Sequence, residues 1–260
     1  MSGQKEAQFL ARHRAHDYRA VVEAWRILAS LADAELGVFA ADGGYPVLWI
    51  AKQGDPSLPG LYVSAGIHGD EPASVWGLIE WARTRLAAQN RPVLIFPCLN
   101  PWGLVNNRRE DRRGRDLNRS FTSPMPALVR RWERILAQHT PDAYFHTAVC
   151  LHEDYDARGN YCYELYRRHR ATCGRHAMDA AAVHIPNDSR RVIEGRLAEN
   201  GLIRRAGLPA MDGWPEAFAL HTHWAWQVLT FETPSEFSLF HRVRAQAAFL
   251  RAVEAALGSE

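Results

Sequence analysis

Two histidines and two glutamates stand where apolar segments of this 260-residue chain stop. His68 comes directly after the run 61–67 (LYVSAGI), and Glu71 follows three residues later. His152 closes the segment 142–151, and Glu232 ends 226–231 (WQVLTF). A polar turn, Asn100-Pro101-Trp102-Gly103, follows another such run at 91–99 (RPVLIFPCL). Ligands of open α/β sheets bind outside the carboxyl ends of the strands, so four polar features on that edge point to a site. Gly69 lets the chain turn sharply between His68 and Glu71, and Pro72 keeps Glu71 out of a helix interior. Two imidazoles and one carboxylate are the donor set of catalytic zinc, which keeps its fourth position for water. A structural zinc site would be closed, typically by cysteines, and Cys98, Cys150, Cys162 and Cys173 show no CxxC spacing. His146, His221 and His223 are rival ligands. His221 and His223 precede the last apolar run rather than follow one, and so rank below His152. Glu232, ending an otherwise apolar strand, suits a base that moves a proton from water to a leaving amine.

The elements that must position these residues follow from periodicity. Val21, Val22, Trp25, Leu28, Ala29 and Ala32 fall at helical spacing and predict an amphipathic helix over 21–36, ending near Gly37. A strand is expected at 45–51, a buried strand at 61–67, and a helix at 72–86 with Glu71 at its cap. Further strands are expected at 91–99, 142–151 and 226–231, and helices at 127–137 and 238–257. The stretch 154–163 reads as loop, and 164–205 as interrupted helix. Strands alternating with helices imply an α/β fold, a sandwich whose mostly parallel sheet is covered on both faces. No repeat, low-complexity stretch or linker divides the chain. Residues 1–260 therefore read as a single domain, with 1–40 an N-terminal helical segment packed on it.

Composition narrows the classes. Hydrophobic residues make up 47%, enough for a large core, and no apolar run reaches the length that spans a bilayer. A formal net charge of +2 does not demand a nucleic-acid partner. The polar N-terminus lacks the apolar stretch of a signal peptide, and the cysteines read as reduced thiols, so a cytoplasmic location is expected.

Residues 106–119 (NNRREDRRGRDLNR) hold six arginines. Glu110, Asp111 and Asp116 interrupt the run, and it lacks the aromatics that stack bases, which argues against nucleic acid. A subset of the arginines is better suited to a carboxylate, through the bidentate fork, with another available to a polarised carbonyl. Asp116 would then orient a neighbour rather than meet substrate.

Taken together the motifs resemble those of the zinc carboxypeptidase superfamily, in the broad sense that includes the succinylglutamate desuccinylase/aspartoacylase branch. GIHGDEP (66–72) resembles its HxxE ligand motif. NPWG (100–103) with RREDRRGRDLNRSF (108–121) resembles the segment NPxG…R…GxDLNRxF. LHED (151–154) resembles the second ligand motif and FETPS (231–235) the one that carries the catalytic glutamate. The four occur in family order between about residues 61 and 235. The resemblance implies one zinc ion on His68, Glu71 and His152, with Glu232 as base. It implies that Arg109 steadies the developing oxyanion and that Asn118 and Arg119 hold a substrate carboxylate. It adds antiparallel strands, making the expected sheet mixed. Two departures stand out. Cys150 occupies a neighbourhood that is often acidic, and no tyrosine follows Tyr166, so a capping role would pass to Trp214 or Tyr163.

The expected function is that of a metallocarboxypeptidase-type hydrolase that cleaves an amide next to a free carboxylate. The alternative within the superfamily is an N-acyl amino acid deacylase. From another class comes a non-enzymatic anion-binding protein, against which the retained Glu232 argues. The expected partner is a small carboxylate-bearing peptide or N-acyl amino acid, with no nucleic acid and no membrane. The leaving amine and the oligomeric state stay open.

Overall fold

The computed structural model describes residues 2–140, 144–167 and 172–258. In chain order the elements are α1 (Ser2–Arg12), α2 (Tyr18–Leu31), β1 (Glu35–Asp42), β2 (Tyr45–Lys52), β3 (Leu61–Ser64), α3 (Pro72–Arg85) and β4 (Val93–Phe96). Next come α4 (Pro101–Asn106), a 3-10 turn (Leu117–Arg119), α5 (Ala127–His139), β5 (Phe145–Asp154), β6 (Tyr161–Tyr166) and α6 (Gly174–Ala181). The chain continues with β7 (Val192–Ile193), β8 (Arg196–Leu197), β9 (Leu202–Arg205), α7 (Glu216–His223), β10 (Ala225–Pro234) and α8 (Leu239–Ala256).

Eight strands form one sheet in the order β1-β2-β4-β3-β5-β10-β6-β9, and β7 pairs with β8 in a separate hairpin. The central block β4-β3-β5-β10 is parallel throughout. Antiparallel pairs join β1 to β2, β2 to β4 and β10 to β6, which makes the sheet mixed. Both faces are covered, so the central strands are apolar at nearly every position rather than at alternate ones. Side chains still alternate between two cores. Val63, Leu229 and Phe231 pack with α2, α3, α6 and α8 on one face. Tyr62, Val228 and Cys150 pack with α5 and α7 on the other. The result is an α/β/α sandwich.

Several elements differ from expectation. The helix predicted over 21–36 stops at Leu31, and Asp33 turns the chain through a positive φ into β1. The segment 1–40 is therefore helical only in part; its end is an edge strand, folded against β2 through Gly43 and Gly44, both at positive φ. The stretch 164–205 is mostly not helical: only Gly174–Ala181 is α-helix, and β6 and β9 extend the sheet instead. The expected loop 154–163 is shorter, because β5 runs to Asp154 and β6 begins at Tyr161. Asn100 caps α4 by accepting a hydrogen bond from the Gly103 N–H at 2.9 Å, so NPWG opens a helix rather than a free turn. Asp142, at the start of one expected strand, lies outside the described residues. Among the described residues no helix is long and apolar enough to cross a membrane.

Candidate metal centre and cleft

Glu71 sits at the N-cap of α3 with Pro72 behind it, but its side chain makes no capping bond. It turns instead to the two histidines. His68 Nδ1 lies 2.6 Å from one Glu71 carboxylate oxygen, and His152 Nδ1 lies 2.9 Å from the other. The three side chains are buried, and their ligand atoms all fall within 4.8 Å of one another. Burial alone would raise the Glu71 carboxyl, yet the two imidazoles outweigh it and hold the group below the usual range. Burial likewise opposes a charged His68, and Glu71 and Asp116 override it, raising His68 to about 9. Two imidazole nitrogens converging on one buried carboxylate are a donor set that fits a divalent ion.

The surroundings fix these groups. His68 Nε2 faces Asp116 Oδ1 at 3.3 Å, and Asp116 Oδ2 accepts from Arg109 Nη2 at 3.0 Å and Nε at 3.2 Å. A carboxylate behind a ligating histidine sets its tautomer and ring orientation. The loop from His68 to Glu71 lies so close to α4 that a Cβ on Gly69 would stand 1.9 Å from the Gly103 carbonyl carbon. The N-terminus of α3 is tied to the strand beside it, because the Ala73 N–H donates to Glu153, which Arg242 also holds. Gln246 of α8 donates to the His152 carbonyl at 2.7 Å and to Thr233 Oγ1 at 3.0 Å, bracing the ends of β5 and β10 together.

Register brings in the second glutamate. Glu232 of β10 is the cross-strand partner of His152 on one side and of Tyr161 on the other. Both β5 and β10 run two residues past their site residues, so His152 and Glu232 sit inside strands rather than at their ends. The Glu232 Oε2 atom is buried without a hydrogen-bond partner. Burial pushes the carboxyl up, against the pull of His152.

Asn118 and Arg119 occupy the 3-10 turn. The Asn118 side-chain oxygen accepts from the Glu216 N–H at 2.9 Å, and Arg119 Nη1 donates to the Asn118 carbonyl at 2.8 Å. All seven residues singled out from the sequence line one cavity of about 400 Å³. The rival histidines are not among its lining: His146 is the second residue of β5, remote from its carboxyl end, and His221 and His223 lie on α7. Tyr163 lines the cavity, whereas Trp214 does not and packs against Phe218.

Sequence reasoning missed two features. The cavity wall of β6 and β9 was read as loop at Tyr161 and as interrupted helix at Ile203. A buried carboxylate, Glu216, stands beside Cys150, supplying the acid that the sequence lacks at that point. Nothing in the local sequence marked it, since an acid in the first turn of a helix is usually solvated.

This fold and site define a metallohydrolase of the carboxypeptidase-like superfamily. Residues 57–188 match the succinylglutamate desuccinylase/aspartoacylase catalytic domain, and the chain belongs to that family. No curated protein matches the chain. Among solved structures, a candidate metallopeptidase of Shewanella amazonensis SB2B is similar over 94% of both chains, with 20% identity and a TM-score of 0.82. A metallo-carboxypeptidase of Burkholderia cenocepacia has 15% identity and a TM-score of 0.66, over 94% of this chain and 69% of that one. Carboxypeptidase A of Helicoverpa armigera has 15% identity and a TM-score of 0.60, over 88% and 72%. These likenesses are of fold.

Proposed function

We propose that residues 1–260 act as one catalytic domain, a zinc-dependent hydrolase of metallocarboxypeptidase type that cleaves an amide next to a free carboxylate. The observation that carries this reading is the buried Glu71 carboxylate between two imidazole nitrogens, with the unpartnered oxygen of Glu232 in the same cavity. His68, Glu71 and His152 would hold one zinc ion. Bound there, zinc would polarise the scissile carbonyl and acidify a water. Glu232 takes a proton from the attacking water and returns it to the leaving nitrogen. Arg109, its guanidinium fixed by Asp116, donates to the oxygen on which negative charge develops. Asn118 and Arg119 hold the substrate's carboxylate. A small peptide is the favoured substrate class. The family match favours a second reading, deacylation of an N-acyl amino acid. Four buried cysteines, none bridged by a disulfide among the described residues, support work in a reducing compartment, the cytoplasm.

The test pairs metal analysis with a substrate panel of C-terminal dipeptides and acyl amino acids. Purified protein should carry one zinc per chain and hydrolyse a member of the panel. Glu232→Gln should abolish turnover and leave the zinc in place; turnover within a few-fold of wild type would remove Glu232 from its role.

A further inference from the structure

Glu216 has no place in that chemistry, yet its carboxylate is almost wholly buried, 1% exposed, at the start of α7. Among the described residues no cation pairs with it. Its partners are two hydroxyls and the Cys150 thiol. Ser64 Oγ donates to one oxygen at 2.8 Å, and the Tyr62 hydroxyl donates to the other. The direction of the second bond is forced. Trp132 Nε1 lies 2.8 Å from the Tyr62 oxygen and an indole can only donate, so Tyr62 must spend its own proton on Glu216. Burial pushes the Glu216 carboxyl up, and the hydroxyl donors work against that. Tyr62 and Ser64 belong to β3, the strand that leads to His68 and Glu71. The carboxylate therefore fastens the first turn of α7 to the middle of the sheet.

The backbone of the same residue faces the cavity side. Its N–H donates to the Asn118 side-chain oxygen at 2.9 Å. That bond occupies the acceptor end of the Asn118 amide and leaves the NH₂ end for the cavity that Asn118 lines. The backbone N–H of Asn118 donates to Asp116 at 2.8 Å, so the turn is held from both directions. An Asn free to flip would offer either an acceptor or a donor to a ligand. Here it can offer only a donor.

We infer that Glu216 is a positioning residue: anchored by Tyr62 and Ser64, it fixes Asn118 as a hydrogen-bond donor and so makes the site select a carboxylate over an amide. This rests on the proposed role of Asn118 in holding a carboxylate, and the test separates the two. The probe pair is N-acetyl-alanyl-alanine and its C-terminal amide, with affinities measured by calorimetry on zinc-loaded protein carrying Glu232→Gln to stop turnover. With Glu216 intact the free acid should bind at least tenfold more tightly than the amide. Adding Glu216→Gln should shrink that preference to within about threefold, by weakening the acid and leaving the amide within twofold. Adding Tyr62→Phe, which removes one anchoring donor and keeps the carboxylate, should shrink it less; this variant serves in place of Glu216→Gln if the latter does not fold. The inference is overturned if the preference survives both substitutions, or if acid and amide weaken equally. A parent that does not prefer the acid overturns it as well. Zinc content and turnover with Glu232 intact report separately on the hydrolase reading: a preference that behaves as described in a protein that cleaves nothing would fail that reading alone.

Discussion

A carboxylate wedged between two buried imidazoles needs either protons or a cation among them, and Asp116 decides which His68 nitrogen faces inward. With Nε2 turned to Asp116, Nδ1 points at Glu71. Asp116 also carries the charge that aligns Arg109. Burial opposes its ionisation, but His68 and Arg109 hold it well below the usual carboxylate range, so it stays charged across the working pH range. Asp116→Asn keeps the shape and loses the charge. Partners of this kind change metal affinity by roughly 10- to 100-fold. Zinc affinity measured by chelator competition should fall by that factor, with the fold retained by circular dichroism. An unchanged affinity would mean that Asp116 serves Arg109 alone.

At the scale of elements, the cleft depends on the approach of the His68–Glu71 loop to α4, where the Gly69 N–H donates to the Arg108 carbonyl at 3.0 Å. Gly69→Ala would drive a methyl group into the Gly103 backbone, which cannot rotate away as a side chain would. Overpacking against rigid backbone costs about 3 kcal/mol or more. A Gly207→Ala control, with open space around its Cβ, should stay within about 0.5 kcal/mol of wild type. Equal thermal stability of the two variants would show that the loop has room for the added methyl group. Part of the fold was legible in the sequence. Buried parallel strands are short apolar runs, and 61–67, 91–99 and 226–231 each show one, with its polar neighbour in place. The outer strands carry no such mark. In β6 (YCYELY), Glu164 interrupts the apolar run, and only the paired Arg204 and Gln227 show why it can be buried. In β1, Leu36 falls in phase with the helix before it, so periodicity alone ran the helix on until Asp33 ended it. Glu216 was invisible because its partners Tyr62 and Ser64 lie more than 150 residues away in the chain.

For the molecule as a whole, a metal ion held by His68, Glu71 and His152 would compete with protons for the same pocket, and this would set how stability depends on pH. In the metal-free protein His68 is raised to about 9, from the 6.5 of an unfolded chain, and His152 is raised as well. A group raised on folding adds stability that is complete below its unfolded value and is lost as pH climbs through the folded one. Protonation of His68 therefore stabilises the apoprotein fully below about pH 6.5 and not at all well above pH 9. Glu71 has the opposite sign. Held low by the two imidazoles, it contributes above its unfolded value and fails only in strong acid. Zinc bound there would reverse the histidine trend, because its ligands must be unprotonated and each displaced proton strengthens binding about tenfold per pH unit. With free zinc at about 1,000 times its Kd, binding adds on the order of 4 kcal/mol. For a chain of this size that corresponds to a rise in Tm on the order of 10 °C. Chelation should lower Tm by that order near neutral pH, and the gap between zinc-loaded and stripped protein should widen from pH 6.5 to 9. Differential scanning calorimetry across that window tests the linkage. A gap that stays flat, or closes as pH rises, would show that the two buried imidazoles do not take the metal.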